Sequence, residues 1–340
     1  MTLLRCGVSL LMALTAATAM IDAQARPPAA TAGNQAGLTV DGLVSVAKGA
    51  AQTDWQGTFT RLCIPPPPSN RAGGGTADAR ALPPRETWHV EPAKVADNLY
   101  FVGEKEHHSW ALVGSEGIIL IEALFDYMTA DEVIGGMRKF GLDPLKVKYA
   151  IMSHAHADHD GGASYLQDST PGMHLIYGAG DWDAIEKAQF HAGGKPKRDM
   201  VGTDGMTLSV GDASLQIVTM PGHTPGTLSY LFEVRDNGKP LRIAYVGGTA
   251  IAFDGTAAYY DQYLESSRKF AKAAADFGAT ALLSNHTEFD NGYYKAHTAA
   301  NRKAGEPNPF DVGKDAVARY FQVVQTCTEA TKMRATAAKK

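Results

Sequence analysis

Cysteine is scarce in this chain, with three in 340 residues. Three cannot build the disulfide scaffold of a small secreted module. Positive charge is not in excess either. Thirty-two Lys and Arg stand against thirty-six Asp and Glu, a net charge of −4, which excludes a strongly basic nucleic-acid binder. After the first 25 residues no apolar run is long enough to span a bilayer, and no repeat of solenoid period is present. The 35 Gly and 17 Pro support many turns but fall far short of collagen-like or low-complexity composition. What the chain does have is 44% hydrophobic residues against 20% charged, enough to bury a sizeable core. It also has eleven histidines, and their arrangement is not scattered.

Residues 1–25 form a segment separate from the fold. Arg5 precedes an uncharged, largely apolar run from Cys6 to Ile21, and small residues follow up to Ala23-Gln24-Ala25. This is the layout of a secretory signal peptide cleaved after Ala25. A membrane anchor is the alternative, but sixteen residues are short for a hydrocarbon core of about 30 Å. Export followed by cleavage leaves a periplasmic or secreted protein with no stable membrane span. It also removes Cys6 and leaves Cys63 and Cys327. An even pair in an oxidising compartment fits one bridge, tying the amino-terminal extension to the last helix; two buried thiols are the alternative.

Residues 26–87 read as an extension with a weakly amphipathic helix around Leu43, Val46 and Ala47. It ends in a linker from Pro65-Pro66-Pro67-Pro68 to Pro83-Pro84, whose Pro and Gly runs cannot hold regular structure. Residues 88–340 form the main domain. Asn98–Gly103, Ser109–Gly114, Gly117–Glu122 and Val147–Met152 are short apolar runs bounded by turn residues, which predicts strands. Between them Val133, Ile134, Met137 and Phe140 recur at helical spacing over Asp131–Phe140. The second half repeats the style, with strands at Ser214–Thr219, Leu228–Val234, Leu241–Val246 and Ala281–Ser284 and a helix over Gln262–Phe277. A last helix carries Val317, Tyr320, Phe321, Val324 and Cys327 on one face. Strand clusters and helices in two similar halves predict an α/β fold, a four-layer αββα sandwich with two sheets face to face and helices outside.

The segment Ser153-His154-Ala155-His156-Ala157-Asp158-His159-Asp160-Gly161-Gly162 directly follows a predicted strand. Loops at the carboxyl ends of strands are where α/β sheets build sites. An extended backbone here would put His154, His156 and Asp158 on one side and turn His159 away, with Gly161 and Gly162 supplying a sharp turn. Three imidazoles and a carboxylate in six residues make a metal-ligand set. Neither side of the loop completes a site alone. His223, within Pro221-Gly222-His223-Thr224-Pro225-Gly226, and His286, just after the strand Ala281–Ser284, are the candidates to complete it. Taken singly, a histidine in a turn or after a strand is an ordinary residue; the loop is what makes these two candidates. The remaining histidines (His89, His107, His108, His174, His191 and His297) are not expected to be ligands. His107 and His108, beside Trp110, are placed to line a cleft.

The loop His154–His159, with Pro221–Gly226 and His286 in order, resembles the metallo-β-lactamase superfamily. That resemblance implies an αββα sandwich with two Zn²⁺ per chain on one edge. His154, His156 and His223 would hold the first metal, and Asp158, His159 and His286 the second. Many hydrolases of that superfamily carry a bridging Asp in a Gly-Asp pair after a late strand. Here the matching stretch is Tyr245-Val246-Gly247-Gly248-Thr249, with Gly248 where that Asp would fall. This departure makes the chain most similar to the third subclass of metallo-β-lactamases. The resemblance thus implies a zinc-dependent hydrolase that opens the β-lactam ring of a small-molecule substrate by attack of a zinc-bound hydroxide, with Asp158 orienting the nucleophile or accepting its proton. A lactonase, esterase or thioesterase with the same metals is the second reading, and a non-catalytic zinc-binding protein the third.

Overall fold

The computed structural model describes residues 37–66 and 82–337. The expected signal peptide at 1–25 and most of the Pro/Gly-rich linker lie outside the described residues. Among the described residues no helix is long and apolar enough to cross a membrane.

The strand Gly117–Ile121 shows why the fold has four layers. Its sequence GIILI is buried throughout. Ile119 and Ile121 point into one apolar cluster, and Ile118 and Leu120 into another. Side chains alternate faces along a strand, so a strand apolar on both faces needs cover on both. The first sheet comprises β1 (Ala93–Ala96), β2 (Leu99–Phe101), β3 (Trp110–Gly114), β4 (Gly117–Ile121), β5 (Val147–Ile151), β6 (His174–Gly178) and β7 (Met200–Gly202), in that spatial order. Its pairs are antiparallel up to β3–β4 and parallel from β4–β5 onward. The second sheet runs β12-β11-β10-β9-β8, with β8 (Thr207–Val210), β9 (Ala213–Thr219), β10 (Leu228–Asp236), β11 (Lys239–Val246) and β12 (Ala281–Ser284). Only β11–β12 is parallel there.

The helices are α1 (Val40–Ala51), α2 (Gln56–Cys63), α3 (Arg85–Trp88), α4 (Asp126–Met128), α5 (Gly135–Lys139), α6 (Ala157–Asp160), α7 (Ala163–Ser169), α8 (Ala179–Lys187), α9 (Ala257–Phe277), α10 (Thr287–Asp290), α11 (Gly292–Ala300) and α12 (Lys314–Ala337). Three apolar clusters separate the layers. One lies between the sheets, around Phe101, Trp110, Ile217 and Phe232. A second joins the outer face of the second sheet to α1, α2, α9 and α12 through Trp55, Phe270, Tyr320 and Phe321. The third covers the outer face of the first sheet with Met128, Met137, Leu166 and Trp182. The mixed α/β architecture with two facing sheets is the one expected.

Cys63 at the end of α2 and Cys327 in α12 form a disulfide, with Cα atoms 4.6 Å apart. Two helix starts differ from the sequence expectation. The helix expected over 131–140 begins at Asp126, because α4 runs into α5 through a π-helical stretch, Thr129–Ile134. The helix expected from Gln262 begins at Ala257, where the Thr256 hydroxyl accepts the Tyr259 amide hydrogen. Gly278, at φ +76°, ends it in the left-handed conformation that a side chain would disfavour.

Candidate metal centre

Every group of the candidate site follows a strand end at one edge of the sandwich. β5 leads into Ser153–His159, β9 into the turn holding His223, and β12 into His286. The loop after β5 is not extended throughout. His156 is extended, but the amides of His159 and Asp160 both donate to its carbonyl oxygen and close the helical turn α6. The expected side-sharing of Asp158 with His154 and His156 is therefore wrong. The turn swings Asp158 round with His159, whose Nε2 lies 3.2 Å from Asp158 Oδ2. The role expected of Gly161 and Gly162 also changes. Neither has positive φ. A methyl at Gly161 would meet the Asp126 amide nitrogen at 2.7 Å, and one at Gly162 would meet Thr129 Oγ1 at 1.8 Å. They are glycines because the start of α4 packs against Gly161 and the first residue of the π-helical stretch against Gly162.

His154, His156 and His223 converge. His223 Nε2 lies 3.2 Å from both His154 Nε2 and His156 Nδ1. His154 Nδ1 donates to Gly247 O and His223 Nδ1 to Ala250 O, each at 2.8 Å. With those hydrogens committed to carbonyls, the Nε2 atoms carry lone pairs, so two acceptors face each other with no proton between them. Burial pushes His223 down to about 4, with His156 adding to the effect, so its imidazole is neutral at physiological pH. Burial and the neighbouring imidazoles hold His154 well below its ordinary value as well. Facing lone pairs repel unless a cation lies between them, and two nitrogens on a tetrahedral zinc at about 2.05 Å stand roughly 3.3 Å apart. The residues present fit a metal ion.

The second cluster gathers around Asp158. Its Oδ2 lies 3.2 Å from His159 Nε2 and 3.5 Å from the Nε2 atoms of both His286 and His107. His159 and His286 approach to 3.0 Å through their Nε2 atoms. Burial works to raise the Asp158 carboxyl, but the imidazoles of His159, His286 and His107 outweigh it and hold the group well below the usual carboxylate range. Burial, with His159 and His107 adding to it, drives His286 well below its ordinary value. The six residues expected from the sequence lie in two adjacent groups, and His107 stands in the second with Asp158 and His286, its ring 6.1 Å from that of His159 between centroids.

Sequence reasoning missed the groups that hold these side chains. Asp181, in the first turn of α8, is buried. It accepts from Ala155 N (2.9 Å), Gly226 N (2.9 Å) and Thr224 Oγ1 (2.8 Å), fastening the His154 loop to the His223 turn. Glu122, just after β4, accepts from Ser153 N and Tyr245 Oη, and its Oε2 is 4.0 Å from His159 Nδ1. Burial raises its carboxyl to about 7, against the pull of His159 and the Ser153 and Tyr245 hydrogen bonds. A Cβ at Gly248 would sit 2.8 Å from both His223 Cβ and Thr227 Cγ2, so no carboxylate fits where the bridging Asp would fall. No local pattern marks Asp181 or Glu122, since their partners lie far along the chain.

Two recesses border the centre. One, of about 480 Å³, is lined by Ile64, Pro65, Ile251, Phe253 and Phe289. The ring of Phe289 lies edge-on to His286 at 5.8 Å between centroids. The other, of about 520 Å³, lies against Gly222, His223, Tyr259 and Gln262.

Residues 102–238 match the sequence profile of the metallo-beta-lactamase superfamily. A hydroxyacylglutathione hydrolase of Xanthomonas axonopodis pv. citri (strain 306) is 29% identical over 128 residues, 38% of this chain and 43% of that protein. The N-acyl homoserine lactonase AttM of Rhizobium radiobacter is 31% identical over 116 residues, 31% of this chain and 43% of that protein. The chain spans about half the length of the curated relatives it matches. Among solved structures, the subclass B3 metallo-beta-lactamase BJP-1 of Bradyrhizobium japonicum is similar with a TM-score of 0.62 and 24% identity, over 75% of this chain and 98% of that one. FEZ-1 from Legionella gormanii aligns with a TM-score of 0.63 and 20% identity, over 74% of this chain and 98% of that one. At these identities the structures share the fold. Residues 102–238 thus match a metallo-beta-lactamase superfamily domain, and the chain shares the fold of BJP-1 and FEZ-1.

Proposed function

We propose that this chain is an exported zinc-dependent hydrolase that opens the ring of β-lactams. The observation carrying the substrate is Gly248. Two donor clusters sit side by side, and the packing of His223 and Thr227 leaves no space for a carboxylate between them. That combination favours a centre of the β-lactamase kind over the Asp-bridged hydrolases. Export is supported by the Cys63–Cys327 bridge, which suits an oxidising compartment.

His154, His156 and His223 would hold one zinc, and Asp158, His159 and His286 the other. Bound there, a metal pair supplies Lewis acidity and lowers the pKa of water towards neutrality. The chain's own residues do the rest. The carbonyls of Gly247 and Ala250 fix the tautomers of His154 and His223, so their Nε2 lone pairs face inward. Asp181 holds the two ligand loops at a constant separation, which a centre needing sub-ångström placement requires. Asp158, kept ionised among imidazoles, orients the attacking water and accepts its proton on a carboxylate oxygen. No Ser or Cys nucleophile is needed.

A second reading, hydrolysis of a lactone or thioester, is favoured by the apolar recess beside Phe289, which suits an acyl arm, and by the named activities of the curated relatives. The test is a substrate panel. Zinc-loaded protein should hydrolyse a chromogenic cephalosporin, and a chelator should abolish the turnover. No cephalosporin turnover together with robust lactone or thioester hydrolysis overturns the β-lactam assignment in favour of the second reading.

A further inference from the structure

His107 lies 47 residues before the ligand loop and outside every motif that marked the site. Its surroundings are nonetheless those of a ligand. The buried carboxylate of Glu104 fixes the turn by accepting the amides of Glu106 (2.9 Å) and His107 (3.0 Å). The same carboxylate accepts His107 Nδ1–H. Nδ1 is thereby committed, and the lone pair is left on Nε2. That atom faces Asp158 Oδ2 at 3.5 Å, and the donors of His107, Asp158 and His286 all lie within 4.8 Å of one another. The ring cannot swing away. Trp88 and Phe125 pack edge-on against it at centroid distances of 5.1 and 5.3 Å, and His286 at 4.8 Å. The backbones of His107 and His286 also form an isolated antiparallel bridge.

We propose that His107 is a fourth protein ligand at the second metal site, beside Asp158, His159 and His286, with Glu104 as the carboxylate that orients it. The inference rests on the reading of this edge as a metal centre. A carboxylate on the far nitrogen is the arrangement that fixes and strengthens a ligating imidazole. The two sites then differ in kind. The first would have three protein donors, and the second, with four, would be nearer to the closed set of a structural site. The second site, with the larger donor set, would hold its ion the more tightly.

The experiment is Zn²⁺ competition against a chromophoric chelator on the purified mature protein, its His107→Ala and Glu104→Gln variants, with Co²⁺ absorption spectra in parallel. Wild type should take up two equivalents, one of them the more resistant to chelation. His107→Ala should weaken that resistant equivalent at least tenfold, leave the other within about threefold, and change the cobalt band. Glu104→Gln should weaken the same equivalent by roughly 10–100-fold, as loss of an orienting partner does. If near-UV circular dichroism shows His107→Ala unfolded, His107→Gln takes its place. Two equivalents with unchanged affinities and superimposable cobalt spectra in the folded variants overturn the proposal and leave His107 a packed cleft residue. A wild type that binds no metal instead overturns the metal-centre reading itself.

Discussion

At Gly248 the absence of a single side chain governs the shape of the centre. With a methyl group 2.8 Å from His223 Cβ, either His223 or the Thr227 turn must move. His223 is already fixed on its far side by Ala250 O. Gly248→Ala is therefore expected to displace the first-site imidazole and lower activity at least tenfold, with one metal equivalent weakened. Turnover and metal content within twofold of wild type would refute this. Residue-level legibility was uneven. His154, His156, Asp158 and His159 stood out because four ligand-type side chains crowd six positions, and His223 and His286 only because that loop left a site to complete. His107 could not. His107, held by Glu104, meets Asp158 and His286 only when β12 brings His286 alongside, and that proximity has no local signal. Asp181 was hidden for the same reason, since Ala155 and Gly226 meet only in the folded chain.

Among elements, strands were more legible than helices. The run from Gly117 to Ile121 is apolar throughout because both its faces are covered, and Val147–Ile151 is buried at Val147, Ala150 and Ile151. Helix starts were misplaced because caps and π-helical turns set them, not periodicity. The ligand loop was misread as extended because two amides converging on the His156 carbonyl are a backbone event. One ion pair shows how the elements are fastened. Asp236, at the end of β10, takes Arg302, just beyond α11, through two contacts of 2.5 and 2.9 Å. Asn308 adds a bond to Asp236 and another to Val95 O in β1. The Arg302 hydrogen bond is the main influence holding the Asp236 carboxyl below its usual range. A carboxyl lowered by folding stabilises above its unfolded pKa, about 3.9, and that stabilisation is lost as pH falls through the lower folded value. Asp236→Asn should therefore cost about 1–2 kcal/mol at pH 7, with the gap to wild type closing below about pH 4. Urea unfolding of the metal-free pair across that range checks it, and a gap that widens towards acid would contradict the assignment.

For the molecule as a whole, the sandwich was legible in outline because two sheets and two helix layers are the simplest cover for strands that are apolar on both sides. Metal is expected to be part of its stability. The facing imidazole lone pairs repel in the empty protein, and any cation that binds the native state and not the unfolded one stabilises it. At a hundredfold excess over its dissociation constant each ion adds about 2.7 kcal/mol. Chelation should lower Tm by roughly 10 °C for a chain of this size, and returning zinc should restore it. Calorimetry with and without chelator decides, and an unmoved Tm would mean the clusters bind no ion in the native state. The bond between Cys63 and Cys327 spans 264 positions of sequence. It closes most of the polypeptide into a ring, so a protease that nicks the backbone once inside that ring severs no part from the rest, and the two fragments remain one tethered species until a reductant frees them.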